Sequence, residues 1–183
     1  MIYRYALLRA LRTVLTRPLK KFSIVQLAKE ARMAPSAAKY SLDYMHANGI
    51  VLKEVVGRTH QCSANLGEPL ARQWKILFSL EKIRESGLVK VILENVRGVV
   101  SIVLYGSVAE GRDDEKSDID IIVIADSKKT AAAYQVSGIG GRELNMHFYT
   151  PAEWRRKAEK DKLFYENVVL GCIPLYGERP VMV

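Results

Sequence analysis

The sequence predicts an α+β chain in two parts: a basic, helical first third that closes on a hairpin, then a neutral remainder built on a small mixed sheet. Three observations carry this. Residues 1–65 hold eleven Lys+Arg and three Asp+Glu, a net of +8, whereas residues 66–183 hold seventeen of each, so the first third carries the whole surplus of the 183-residue chain. Apolar residues recur at helical spacing up to Met45 and change to strand-like runs from Ile50. Farther on, a glycine-bounded apolar run at 99–105 is followed by Asp118-Ile119-Asp120 at the head of a second apolar run. A hydrophobic content of 49% supports a true core.

In the first helix Leu7, Leu8, Leu11, Val14 and Leu15 form the apolar stripe, Arg4, Arg9 and Arg12 fall outside it, and Pro18 marks the end. Ser23 is placed to cap a second helix with Ile24, Leu27, Ala28 and Ala31 on one face. After Arg32-Met33-Ala34, a third helix opens at Pro35 or Ser36, buries Ala38, Leu42 and Met45, and closes at Asn48-Gly49. Residues 50–56, Gly57-Arg58 and 59–66 then read as strand, turn, strand.

That order is the order of a winged helix-turn-helix, in which the third helix enters the major groove and the hairpin reaches an adjacent groove or the backbone. Ser36, Lys39 and Tyr40 face away from the apolar stripe of the third helix, Arg58 stands at the wing tip, and Arg17, Lys20, Lys21 and Arg32 are further phosphate partners. DNA is therefore the expected partner of residues 1–66. The competing reading is a protein-docking module with a solvated basic surface.

Residues 67–97 are expected to be linking helices. Trp74, Ile76, Leu77, Phe78 and Leu80 are too apolar for a wet linker, so this segment should pack on the first domain or on a second chain. Two-fold symmetry suits a palindromic site, and a homodimer is expected. Val99 to Tyr105 reads as a strand buried on both faces that ends in Gly106 to Gly111, Arg112 to Ser117 as a polar loop, and Asp118 to Ala125 as a strand that projects Asp118 and Asp120 from one face. Two adjacent carboxylates repel unless a cation lies between them, and Mg²⁺ favours such hard oxygen ligands. Gly106 permits close approach of a phosphate, and Ser107 offers an N–H and a hydroxyl.

Gly106-Ser107, Ala109, Gly111, Ser117 and Asp118-x-Asp120 together resemble the signature of the polymerase-β-type nucleotidyltransferases, in the form seen in the minimal nucleotidyltransferases. The resemblance implies a nucleotidyltransferase-fold αβ domain with a small mixed sheet over 98–183. It implies that Gly106, Ser107, Gly111 and Ser117 bind an NTP, ATP first among them, and that Asp118 and Asp120 hold Mg²⁺. Active relatives carry a third carboxylate on a later strand, here Arg142 to Tyr149. Leu144, Met146 and Phe148 alternate inward there, and Glu143, Asn145, His147 and Tyr149 share the other face.

The usual aspartate position falls on Asn145, which cannot accept a proton at neutral pH. Glu143 is the expected substitute, with His147 as the other candidate base. Asp118, Asp120, Glu143 and Asn145 are thus the expected catalytic set. Gly138 to Gly141 lacks the Lys-Ser/Thr of a phosphate loop and reads as a turn.

Residues 151–170 are expected to be helical, with Arg155, Arg156, Lys157 and Lys160 on a solvated face. The chain from Gly141 to Gly177 is also similar to prokaryotic proteins that fuse a winged helix to this core. Two functions follow. One is transfer of a nucleotidyl group from an NTP to a hydroxyl acceptor. The other is transcriptional regulation by a catalytically impaired domain that senses nucleotide or binds a partner protein, including an antitoxin-like pairing with a helical toxin protein. Cys62 and Cys172 stand alone, no apolar run approaches the roughly 20 residues of a membrane span, and a cytoplasmic protein is expected.

Overall fold

The computed structural model describes residues 5–57, 59–126 and 138–181, and the chain divides into two units, Met1–Phe78 and Ser79–Val183. In the first unit, α1 (Ala6–Leu15), α2 (Ile24–Glu30) and α3 (Pro35–Ala47) precede a hairpin of β1 (Val51–Val56) and β2 (Thr59–Ala64). The helices bury Leu11, Val14, Leu15, Leu27, Ala38, Leu42 and Met45, as their spacing requires.

With seven residues, α2 is too short to persist by propensity alone. Ser23 and Gln26 close a capping box over its start: Ser23 Oγ accepts from the Gln26 N–H at 3.2 Å, and Gln26 Oε1 accepts from the Ser23 N–H at 2.9 Å. Ser23→Ala is expected to cost this unit about 1 kcal/mol in urea denaturation; a loss below a few tenths would show that tertiary packing alone holds α2. At the end of α3, Gly49 takes φ +71°, its N–H donates to His46 C=O at 3.0 Å, and the Ile50 N–H donates to Met45 C=O at 2.9 Å. This paired closure feeds Ile50 into the core. The hairpin is tied to the loop before α2 by two backbone bonds between Phe22 and Cys62, at 2.8 and 2.9 Å, with both side chains buried.

Helix α4 (Pro69–Glu85) contributes to both units. Ala71, Trp74 and Phe78 join the first core, while Leu80 and Ile83 join the second; Leu70 and Leu77 stay exposed. Of the expected linking helices, the first is thus shared between the units and the second, residues 88–95, lies within the second unit.

The second unit continues with α5 (Leu88–Asn95), β3 (Val99–Tyr105), α6 (Gly106–Ala109), β4 (Ile119–Ala125), β5 (Gly138–Ile139), β6 (Arg142–Tyr149), α7 (Pro151–Lys160), α8 (Lys162–Gly171) and β7 (Ile173–Gly177). Its five strands run in the order β5-β6-β4-β3-β7. Only β4 and β6 pair in parallel, so the sheet is mixed. Ile102, Leu104, Ile121 and Val123 pack on one side with Leu88 and Ile92 of α5. Val103, Ile122 and Ile124 pack on the other with Trp154 of α7 and Val168 of α8.

Three expectations need adjustment. Val100 is exposed rather than buried, because the β3–β4 register shifts between Val99 and Ser101 and leaves it as the extra residue of a bulge. Residues 106–109, expected only as the end of the strand before a polar loop, form a short helical turn that starts directly from the strand. Gly140 and Gly141, both at positive φ, form the two-residue turn of a small hairpin between β5 and β6. Among the described residues, no helix is long and apolar enough to cross a membrane.

Candidate active site

The site forms where β3 ends and β4 and β6 begin beside it. Tyr105, the last residue of β3, pairs with Asp120 of β4, and Asp120 pairs in turn with Asn145 of β6. Side chains two apart on a strand share a face, so Asp118 and Asp120 project together on the side covered by α7 and α8. Asn145 points into the gap between them. Its Nδ2 donates to Asp118 Oδ2 at 3.1 Å and to Asp120 Oδ1 at 3.4 Å. One neutral amide thus holds two like charges together.

Gly106 follows Tyr105 with φ +73°, and a Cβ built there would lie 2.7 Å from Asp120 Oδ2. A side chain at 106 therefore meets the carboxylate itself, so this glycine makes room for Asp120 as well as for any phosphate. Ser107 is half-buried in the first turn of α6. Gly111 is buried at φ +67°, with its N–H bonded to Val108 C=O at 3.2 Å, so it shapes the return from α6.

Ser117 belongs to a local turn built on Asp114. Asp114 Oδ1 accepts from the N–H groups of Lys116 and Ser117 at 2.8 and 2.9 Å and from Ser117 Oγ at 3.0 Å. The backbone bond from Lys116, then the Ser117 hydroxyl, hold the Asp114 carboxyl below the usual carboxylate range.

Arg142 fastens this turn to the sheet. Its Nε donates to Ser117 C=O at 2.5 Å, its Nη2 to Asp118 C=O at 3.3 Å, and its Nη1 to the buried Asp113 carboxylate at 2.7 Å. One guanidinium thus grips the backbone on both sides of the peptide leading into Asp118. Sequence reasoning placed Arg142 only as the first residue of a strand. Its partners lie 24 to 29 residues away, a separation that no local periodicity reveals.

Glu143 is exposed, one step before the Ile119–Leu144 pair, which puts its register position beside Asp118. Among the described residues, no three His, Cys, Asp or Glu side chains come close enough to share a metal ion. The acidic set is therefore two carboxylates with an amide between them. That set suits Mg²⁺, which is commonly held by one or two carboxylates and completes its shell with water and phosphate oxygens.

His147 is exposed two positions beyond Asn145, and its ring centroid lies 6.4 Å from that of Tyr105. Burial, then the charge on Asp120, push the Tyr105 hydroxyl up to about 12, so it remains protonated at neutral pH and cannot serve as a base there.

The polymerase beta nucleotidyltransferase family model matches residues 88–167, from α5 into α8. Residues 88–167 are a polymerase beta-type nucleotidyltransferase domain. No curated protein and no solved structure matches the chain. The transferase domain lies wholly inside the second unit and contains Gly106, Ser107, Asp118, Asp120, Arg142, Glu143 and Asn145.

The residues expected to meet DNA all fall in the first unit. Ser36, Lys39 and Tyr40 are exposed and share one face of α3. Lys39 pairs with Asp43 at 3.4 Å, Lys20 with Glu30 at 2.9 Å and Lys21 with Glu54 at 2.6 Å. Arg58 lies outside the described residues.

Proposed function

We propose that the protein binds an NTP with Mg²⁺ in its transferase domain and transfers the nucleotidyl group to a hydroxyl acceptor, while its first unit, as a winged helix-turn-helix, binds DNA. The observation that carries the first part is the Asp118–Asp120 pair, set on one strand face under Gly106 and bridged by Asn145.

Bound Mg²⁺ would screen the phosphate charge and favour departure of pyrophosphate. Asp118 and Asp120 are the residues that would hold it, and their carboxylates also steer the nucleotide by excluding bare anions. Ser107 would receive phosphate oxygens through its hydroxyl and N–H, while Gly111 and Ser117 shape the loops on either side. In the transfer, the acceptor oxygen bonds to the α-phosphorus, the bond to pyrophosphate breaks, and the hydroxyl proton passes to a base. Asn145 cannot take that proton, so Glu143, at the neighbouring register position, is assigned the role.

The amide at 145 also favours a second reading, in which the domain binds nucleotide without transferring it and regulates the DNA-binding unit or a partner protein. One assay separates them: labelled NTP and Mg²⁺ are incubated with the protein, alone and with cell extract, beside Asp120→Asn. Transfer that falls at least about 100-fold in the variant supports the enzyme. Nucleotide binding with no transfer in the wild type rejects the enzyme and leaves the sensor.

For the first unit, the support is the order of three helices and hairpin, the exposed polar face of α3 and the concentration of positive charge. Exposed ion pairs such as Lys39–Asp43 are worth little and exchange readily for phosphate contacts. A homodimer, matching a two-fold DNA site, completes the proposal.

A further inference from the structure

All three carboxylates among residues 1–65 are engaged by cations in ion pairs. Glu30 is gripped by Arg17 and Lys20, Asp43 by Lys39 and Lys53, and Glu54 by Lys21. Arg9 and Arg32 make no ion pair among the described residues, and they line the same recess. It has a volume of about 360 Å³ and is bounded by Arg9, Arg12, Thr13, Glu30, Ala31 and Arg32.

Arg9 and Arg12 are one turn apart on α1, and Arg32 stands in the turn between α2 and α3. Arg9 Nε is buried and has no hydrogen-bond partner. Arg32 holds φ +50°, a conformation that side-chain-bearing residues rarely adopt. The turn is closed around it by the Met33 N–H bonding to Ala28 C=O at 2.9 Å. Glu30 faces the recess too, but Lys20 first, with Arg17, holds its carboxyl below the usual range, so it stays ionised and committed to those cations. Three guanidinium groups around one small recess, against a single carboxylate already neutralised, are a match for the oxygens of a phosphate.

We propose that this recess is a phosphate site, occupied by a backbone phosphate of duplex DNA. It rests on the reading that the first unit binds DNA, in which Arg32 is already a phosphate partner, and it adds Arg9 and the recess beside α1 to that surface. A free polyphosphate offers the same chemistry, and the test has an arm for each source.

The full-length protein is titrated in EDTA with a short labelled duplex at several salt concentrations, and separately with pyrophosphate. Under these conditions the Asp118–Asp120 pair repels anions. Arg9→Gln and Arg32→Gln are each expected to weaken duplex binding about tenfold and to flatten the log–log salt slope by about 1, the loss of one phosphate contact. Arg32→Lys should recover part of the affinity, and Lys162→Gln in the second unit should change nothing. Circular dichroism melts confirm that each variant is folded.

Pyrophosphate binding that disappears in both glutamine variants, with duplex binding unchanged, would assign the recess to a small ligand. A wild type that binds no duplex at low salt removes the DNA reading, and the pyrophosphate arm then decides the recess alone. Folded variants that match the wild type in both arms overturn the proposal.

Discussion

Arg142→Ala is expected to destabilise the second unit by about 3 kcal/mol in urea denaturation, the cost of removing the guanidinium from a buried carboxylate. Asp113 is 1% exposed and Arg142 13%, so little water reaches the pair to compensate. The same change releases the carbonyls of Ser117 and Asp118, which Arg142 holds at 2.5 and 3.3 Å. Asp118 then loses the anchor on its own backbone. Mn²⁺ affinity, followed by electron paramagnetic resonance below the unfolding transition, should fall about tenfold or more.

Arg142→Lys separates the two effects. An ammonium keeps the charge opposite Asp113 but cannot reproduce a planar fork with three acceptors, so most of the stability should return while the metal affinity stays low. Replacing both partners, Asp113→Leu with Arg142→Met, removes the buried charges together and should cost less than Arg142→Ala alone. A stability loss below about 0.5 kcal/mol in Arg142→Ala would show that Asp113 is held by other groups.

That fork was illegible in the sequence for a plain reason: it joins an irregular loop to a strand through side-chain geometry. What was legible depended on period and punctuation. The apolar run bounded by glycines at Gly98 and Gly106 gave β3, and alternation over Arg142 to Tyr149 gave β6 to the residue. The two-residue period put Asn145 on one face with Glu143 and His147, and the strand pairing then sets it opposite Asp120.

Four-residue α6 is shorter than one and a half helical turns, so it leaves no periodic trace. The bulge at Val100 is equally silent, since a β-branched residue reads the same inside or outside a ladder. Composition located the positive charge in the first third but not its arrangement. Lys20, Lys21 and Lys39 turn out to be paired with the few acids nearby, while Arg9, read only as lying off the apolar stripe, faces a recess.

The substitution with the most to say about function is Asn145→Asp. It exchanges the bridging amide for a third carboxylate on the same face as Asp118 and Asp120, removing two hydrogen bonds of 3.1 and 3.4 Å and adding like charge at those positions. Each like-charge pair at about 4 Å costs roughly 1 kcal/mol in a water-like medium and about 4 kcal/mol near a protein surface. In EDTA at neutral pH the variant should therefore melt well below the wild type.

Two treatments should reverse that loss. Acidification protonates one of the crowded carboxylates and relieves the repulsion, so the variant should gain stability relative to the wild type as pH falls. Mg²⁺ should do the same at neutral pH, by about 2.7 kcal/mol when present at 100 times its dissociation constant, and the dissociation constant itself should be lower than in the wild type. If proton removal from the acceptor limits the reaction, the added carboxylate should raise transfer about 100-fold or more. A variant that binds Mg²⁺ more tightly yet transfers nothing would show that the domain lacks more than a base, and would decide for the nucleotide-sensing reading. A variant that melts like the wild type in EDTA would mean that position 145 does not face the aspartate pair, and the site as described would fail with it.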